Sequence, residues 1–261
     1  MNHAVTIAAG DSSTWLETLG EQGVAPDGAP REVHIRLAQG SRLTHYRLLG
    51  PNGPSDVADR LTVEIGANAS YEQRMLGAPA RKFRSEQTIR LNGHGATATL
   101  KAACVALPQA QLDIDIKVLH EADDTVSDQR INVLGADRGK ASAEVETQVP
   151  PGRRGVRANQ LLRAMQPEGK SLIALRPRLS ILSDDVVCRH GATTSAIREE
   201  ELHYLRSRGI AKTEAVTMLS EAFLRQLLPA NEQAGQSEVS RVIEQVLALS
   251  LHRDVEAVHE A

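Results

Sequence analysis

Aromatic residues are scarce in this sequence. Of 261 residues, only one is Trp, two are Phe and three are Tyr. A hydrophobic core must therefore consist mainly of Val, Ile, Leu and Ala side chains, which favours a thin or layered core over a thick aromatic one. The same scarcity argues against a wide, aromatic-lined cleft for binding a carbohydrate.

Cysteines and long apolar runs are also rare. The two cysteines, Cys104 and Cys188, lie far apart in the sequence, and no apolar run approaches the ~20 residues of a membrane-spanning helix. The polar start "MNHAVTIAAGDSS" lacks the basic and apolar regions of a signal peptide. These features predict a cytoplasmic protein with free thiols and no membrane partner.

Neither the charge nor the short motifs indicate a common function class. A net charge of -3 and a pI near 6.3 give no overall case for nucleic acid binding. The basic run at residues 153–170 contains no aromatic side chain on which bases could stack. Gly-rich phosphate loops, G-x-S-x-G, H-E-x-x-H and paired C-x-x-C motifs are absent. The sequence therefore predicts no nucleic acid partner and no conventional enzyme active site.

Apolar and polar residues alternate from about residue 31 to residue 187. The clearest apolar series are Val33, Ile35 and Leu37; Leu61, Val63 and Ile65; and Leu112, Ile114, Ile116 and Val118. This period of two is typical of half-buried strands. Turn-like segments follow the first strands, and in them Gly40, Gly66 and Gly93 lie 26 and 27 residues apart, as in stacked solenoid turns. The pattern favours a mainly β fold, a right-handed parallel β-helix, and leaves a β-sandwich open.

The hydrophobic period changes towards the C-terminus. Residues 199–201 are acidic and suit a helix start, and Gly209 suits a helix end. Two further segments carry apolar stripes with helical spacing: Ala215, Leu219, Ala222, Phe223 and Leu227 in the first, and Val239, Val242, Ile243, Val246 and Leu249 in the second. We therefore expect a short N-terminal segment at 1–30, a β-helix core at 31–195 and a C-terminal helical domain at 196–261.

Two pairs of side chains could carry chemistry. Asp113 and Asp115 would lie on one face of a strand, where a β-helix enzyme could use paired carboxylates to cleave carbohydrate; a solvated strand face shows the same pattern. Cys188 and His190 have the same spacing, and a thiolate with an imidazole suits iron or zinc. Two ligands cannot complete a four-coordinate site, so a metal would need a second chain. The alternative is a buried Cys beside a turn His.

The segment around this second pair resembles a known family. Residues 184–210, "DDVVCRHGATTSAIREEELHYLRSRGI", closely resemble the C-terminal signature of the SufB/SufD family, the scaffold proteins of SUF iron-sulfur cluster assembly. They are most similar to the SufD form, in which an acidic turn, Cys-x-His-Gly-Ala-Thr, an acidic helix start and Tyr-Leu-Arg-Ser-Arg-Gly-Ile follow in order. The resemblance covers roughly residues 31–250 and is strongest at 171–228.

Two features depart from the family pattern. Family members carry a long, mostly helical N-terminal region, whereas we expect the first strand of this chain by about residue 31. Arg163 stands where the family has apolar character, which predicts altered packing in that turn.

The resemblance implies a fold and a site. The family fold is a right-handed parallel β-helix followed by a C-terminal α-helical domain. Two scaffold subunits pair through their β-helices, and the resemblance implies that His190, with Cys188 beside it, contributes to an iron-sulfur cluster at that junction. The expected scaffold partner is a SufB-like subunit or a second copy of this chain.

The resemblance further implies that the C-terminal helices bind a SufC-like ABC ATPase. The residues expected to do so are Tyr204, Arg206, Arg208, Leu219, Phe223 and Leu227. The chain itself is expected to be a scaffold and not an enzyme. A carbohydrate-active β-helix enzyme and a degenerate scaffold relative that binds no cluster are the alternatives.

Overall fold

The structure is a computed structural model that describes residues 2–19, 30–50, 56–167 and 169–227. Within these ranges the chain forms fourteen strands and two helices. Sheet A contains seven strands: β1 Asn2–Ile7, β3 Arg31–Leu37, β5 Asp56–Ile65, β7 Lys82–Leu91, β9 Gln111–His120, β11 Lys140–Val149 and β13 Leu172–Ile181. Sheet B contains seven strands: β2 Ser12–Leu19, β4 Arg42–Leu49, β6 Ser70–Gly77, β8 Thr97–Ala106, β10 Val126–Gly135, β12 Val156–Met165 and β14 Val186–Ser195.

The two sheets are the walls of a β-solenoid. Successive strands alternate between sheet A and sheet B, and within each sheet the strands follow one another in chain order. The neighbouring strands pair parallel and in register, as β10 does with both β8 and β12. This arrangement confirms the predicted β-helix and excludes the β-sandwich, whose neighbouring strands are antiparallel.

The solenoid begins earlier than the sequence analysis predicted. Strands β1 and β2 precede residue 31 and pair with β3 and β4. Their sequences, NHAVTI and SSTWLETL, are rich in small and polar residues, so their apolar alternation is weak. Ile7 and Leu19 are nevertheless buried in the main core. The β-helix core therefore includes strands before residue 31, where its start was predicted.

One corner position of the solenoid repeats from turn to turn with a positive φ. The stacking is carried by backbone hydrogen bonds, such as the one from the Asn68 N–H to the His94 carbonyl at 2.9 Å. Asn and Asp can replace glycine at this corner because they tolerate the left-handed region better than most residues. The equivalent residues are Gly10, Gly40, Asn68, Gly95, Asp124 and Gly155.

Gly66 and Gly93 occupy a different corner position from Gly40. The Gly93 N–H donates to the carbonyl of Ile65 at 3.1 Å, next to Gly66. A Cβ on Gly93 would lie 2.0 Å from the backbone nitrogen of Ala67, so the close stacking of two turns requires glycine there. The predicted repeat is therefore present, but its three glycines belong to two separate corner positions.

The interior between the sheets is a narrow aliphatic core. In β5, for example, Leu61, Val63 and Ile65 are fully buried and alternate with residues on the outer face. Cys104 is also fully buried, and burial raises the pKa of its thiol to about 12. Cys104 therefore acts as a small core residue.

A buried polar cluster interrupts this core near its N-terminal end. Arg47 is fully buried; its Nε donates to Glu17 at 2.8 Å, and its Nη2 donates to Asp59. His45 Nε2 lies 3.5 Å from the same Glu17 oxygen. The two carboxylates balance the guanidinium charge, which permits a charged residue inside the solenoid.

Two helices follow the last strand: α1 Glu199–Ser207 and α2 Lys212–Arg225. Three glutamates form the first turn of α1, and Gly209 follows its end with a φ of 85°, as predicted. Helix α2 packs on the outer face of sheet B, where Phe223 joins a second apolar cluster and Asn132 donates to the Phe223 carbonyl at 2.7 Å. Neither described helix has the length and apolar content needed to cross a membrane. The second predicted stripe, 239–249, lies outside the described residues.

Candidate functional site

Cys188 and His190 lie on the inner face of β14. In the described structure, β14 is the last strand of sheet B and pairs with β12. Cys188 is in register with Ala158, and His190 is in register with Gln160. Both β12 residues are buried inside the solenoid, and in-register parallel strands direct equivalent side chains to the same face. The two candidate ligands therefore share a face, as their spacing predicted.

This end of the solenoid is open in the described part of the chain. Cys188 is half-buried and His190 is exposed, because no further described turn covers β13 and β14. Across the interior, half-buried Leu175 and Leu179 on β13 are in register with Ala143 and Thr147 of the turn before. The Cys/His pair therefore lies at the rim of a mainly apolar interior that a second molecule can reach.

Two opposing effects act on the Cys188 thiol. Partial burial raises its pKa, and a backbone hydrogen bond from Ala158 lowers it by less, so the net shift is upward. The thiol is therefore protonated at neutral pH and would release its proton on binding a metal.

A row of inward-facing side chains runs through sheet B and ends at His190. We call it the His190 row. Pairwise strand register places its members at equivalent positions of successive strands. From β2 to β14 they are Trp15, His45, Gln73, Leu100, Gln129, Gln160 and His190.

The pair is an incomplete set of metal ligands. Among residues 2–19, 30–50, 56–167 and 169–227, no group of three or more His, Cys, Asp and Glu side chains could hold a metal ion. A tetrahedral metal site needs about four ligands. Cys188 and His190 could supply two of them, and the described residues leave the set incomplete.

Three of the six residues expected to bind an ATPase are exposed at helix α1. Tyr204 is 57% exposed, and the Arg208 guanidinium carbon lies 5.1 Å from the centre of its ring. Arg206 is exposed in the last turn of the helix. These residues form an accessible cationic and aromatic surface, which we call the α1 surface.

The other three residues belong to α2 and the turn after it. Phe223 and Leu227 are buried, so they pack within the chain and do not face a partner. Leu219 is half-buried and lines a cleft of about 430 Å³ between α2 and the ends of β12 and β14. Arg163 lies on the outer face of β12 and donates to Gln226 at 3.3 Å, so the departure from the family pattern provides a polar contact to the end of α2.

Asp113 and Asp115 share the outer face of sheet A. Asp115 is in register with Glu86 on β7 and Glu144 on β11. Partial burial raises the pKa of Asp115, and these two carboxylates add to the rise. Both glutamates are ion-paired with arginines. The two aspartates therefore lie beside a ladder of paired charges on a solvated sheet face, which is the alternative to a pair of catalytic carboxylates.

Comparison with known proteins gives a consistent result. Residues 2–223 match the family model described as SUF system FeS cluster assembly, SufBD core domain. The chain is 27% identical over 239 residues to the iron-sulfur cluster assembly protein SufD of Escherichia coli, covering 89% of the chain and 55% of that protein.

Two further relatives extend the comparison. The chain is 27% identical over 197 residues to an iron-sulfur cluster assembly SufBD family protein of Synechocystis, covering 74% of the chain and 43% of the relative. It is 29% identical over 154 residues to the iron-sulfur cluster assembly protein SufB of Bacillus subtilis, covering 59% of the chain and 33% of that protein. The chain thus spans between about a third and just over half of the length of these relatives. Because the family model extends from β1 into α2, the chain belongs to the SufBD family of the SUF system for iron-sulfur cluster assembly.

Proposed function

We propose that this chain is a SufD-like, non-catalytic scaffold subunit of an iron-sulfur cluster assembly complex in the cytoplasm. Its family and its similarity to SufD support a role in cluster assembly. The observation that carries the finer proposal is the position of Cys188 and His190 on the inner face of β14, at the open end of the solenoid. There a second subunit can complete the ligand set. The cluster is the cargo that the complex builds and passes on.

The same end of the solenoid supports pairing with a second scaffold subunit. Among the described strands, β13 and β14 each have one edge without a neighbour, and unpaired edges bind further strands. Leu172, Leu182 and Val187 are 66%, 65% and 55% exposed on the last described turn, where a second subunit could cover them. The partner is a SufB-like subunit or a second copy of this chain.

The α1 surface supports binding of a SufC-like ABC ATPase. Its arginines and its exposed tyrosine can contact an acidic partner through charge and ring stacking. In this proposal the ATPase hydrolyses nucleotide, and the scaffold transmits the resulting movement to its open end.

The test of the cluster site is anaerobic reconstitution of the complete complex with iron and sulfide, followed by the visible absorption of the cluster. His190→Ala should reduce the cluster yield while circular dichroism remains unchanged. Cys188→Ser should have a smaller effect, because the half-buried thiol is a less accessible ligand. His34→Ala is the matched control, since His34 is exposed on the outer face of β3. An unchanged yield with His190→Ala would exclude His190 as a ligand of the cluster.

Pairing is tested by sedimentation of the chain alone and with a SufB-like subunit. Val187→Asp, at the open end, should weaken the pair in both cases. Leu16→Asp is the control, because Leu16 is 44% exposed on β2, the opposite terminal strand of sheet B. Equal effects of the two substitutions would show that pairing does not use the open end.

A further inference from the structure

Gln160 occupies the position next to His190 in the His190 row. It lies on β12, in register with His190 on β14, and it is only 1% exposed. Neighbouring strands are about 4.8 Å apart, so a glutamine side chain is long enough to reach an imidazole on the next strand.

The hydrogen bonds of Gln160 determine which way its amide faces. Its Nε2 donates to the Thr147 hydroxyl at 2.7 Å and to the Arg178 carbonyl at 3.2 Å. A carbonyl oxygen can only accept, so the amide cannot be turned round without losing the bond to Arg178. Gln160 Oε1 is thereby left as a buried acceptor that has no hydrogen-bond partner among the described residues.

We propose that Gln160 is a positioning residue for His190. The structure does not contain a hydrogen bond between the two side chains; a rotation of the exposed His190 side chain would bring a ring N–H to Gln160 Oε1, which would then hold the neutral ring in one tautomer with the lone pair of the other nitrogen directed outward. A histidine that binds a metal usually donates its second ring N–H to such an acceptor, which fixes the ring and strengthens the ligand. The functional part of this inference rests on the proposed role of His190, whereas the hydrogen bond itself does not.

The row supplies its own control positions. Leu100 occupies the equivalent position on β8, so a leucine side chain packs in this row, and Gln160→Leu removes the acceptor with a residue that the row accommodates. Gln129 is fully buried one turn further from His190. Gln129→Leu therefore makes the same chemical change one turn further from His190 and leaves the Gln160 amide in place.

The first measurement needs no iron. The full chain, labelled with nitrogen-15 in histidine, is studied by NMR at alkaline pH, and His190→Ala assigns the His190 ring signals. We expect a single tautomer in the unmodified chain and with Gln129→Leu, and a mixture of tautomers with Gln160→Leu. Circular dichroism checks that each variant is folded. A mixture in the unmodified chain, or no change with Gln160→Leu, would overturn the proposal.

The second measurement is the cluster yield of the reconstituted complex. Gln160→Leu should lower the affinity for iron about tenfold, the lower limit commonly seen when the partner of a ligating histidine is removed, and the cluster yield should fall with it. Gln129→Leu should leave the cluster yield unchanged. A loss of yield with His190→Ala but none with Gln160→Leu would refute the positioning role. If neither substitution alters the yield while the NMR result holds, the proposed cluster function fails and the hydrogen bond stands.

Discussion

The Nε of Arg47 donates a hydrogen bond to Oε1 of Glu17 across 2.8 Å, and neither side chain is more than 5% exposed. Burial raises the pKa of Glu17, and the positive charge of Arg47 with the hydrogen bonds to the carboxylate lowers it by more, so the net shift is downward. The carboxylate therefore stays ionised inside the solenoid and compensates the buried guanidinium.

Glu17→Ala should strongly destabilise the chain. Removing one partner of a buried ion pair leaves an uncompensated charge and typically costs about 3–5 kcal/mol in the free energy of unfolding. Urea unfolding followed by circular dichroism measures the change. Glu64→Ala is the control, because Glu64 pairs with Arg36 at 3.0 Å with side chains that are 36% and 71% exposed, and exposed pairs contribute about 0–1 kcal/mol. Equal losses would contradict the interpretation.

His120 should make the chain sensitive to mild acid. The Thr125 hydroxyl donates to the Ala122 carbonyl at 3.1 Å. His120 Nδ1 must therefore donate to Thr125, and its Nε2 accepts from Ser127, both at 2.8 Å. Burial of this neutral ring lowers its pKa from 6.5 to about 4.

The sign of the effect follows from the direction of this shift. Between about pH 6.5 and pH 4 the unfolded chain binds a proton at His120 that the folded chain excludes. Lowering the pH through this window therefore decreases the free energy of unfolding, by up to about 3 kcal/mol. His120→Asn offers a donor and an acceptor without titrating. Its free energy of unfolding should therefore decrease less between these pH values, and parallel curves for the two proteins would refute the assignment.

Gly93→Ala should destabilise the solenoid through its corner. The added Cβ would meet the Ala67 backbone nitrogen at 2.0 Å, so the stacked turns must separate, at a cost of about 1–3 kcal/mol typical of overpacking. Gly50→Ala is the matched control, since a Cβ at Gly50 has no atom within 4 Å. Thermal unfolding of the two variants should differ; similar melting temperatures would show that the corner can relax.

The two groups of helical residues should respond differently to substitution. Tyr204→Ala with Arg208→Glu should reduce the affinity for a SufC-like ATPase and leave the unfolding free energy almost unchanged, because both side chains are exposed. Phe223→Ala should instead lower stability by about 3–5 kcal/mol, because a buried aromatic side chain is lost. Calorimetric titration with the ATPase and urea unfolding separate the two effects. Intact ATPase binding by the double variant would exclude the α1 surface.

The sequence predicted those features that depend on one strand or helix at a time. The period of two identified strands such as β3, β5 and β9, and the acidic start with Gly209 identified α1. A stripe such as Leu219, Phe223 and Leu227 shows only that one helix face is apolar. It cannot show whether that face packs on the chain's own sheet, as it does at Phe223, or on a partner.

Features that depend on the alignment of distant strands could not be predicted. The ion pair of Glu17 with Arg47 joins residues 30 positions apart, and neither lies in a pattern that indicates a buried charge. The placement of Gln160 next to His190 likewise follows from strand register, and the lengths of the corner segments determine that register. Because Asn68 replaces a glycine at one corner, glycine spacing alone assigned the wrong equivalences.

The in-register stacking also constrains how this chain can tolerate insertions and deletions. The Asp185 carbonyl accepts the Gly155 N–H at 3.0 Å and anchors the corner, and the alternation from that corner directs Cys188 and His190 inward. One residue added or removed between Asp185 and His190 would turn the imidazole to the outer face and bring Arg189 inward. Insertion of a complete turn before β13 would leave the orientation of the His190 imidazole unchanged. Length changes compatible with this site should therefore occur as whole turns or within corner loops, and not within β14.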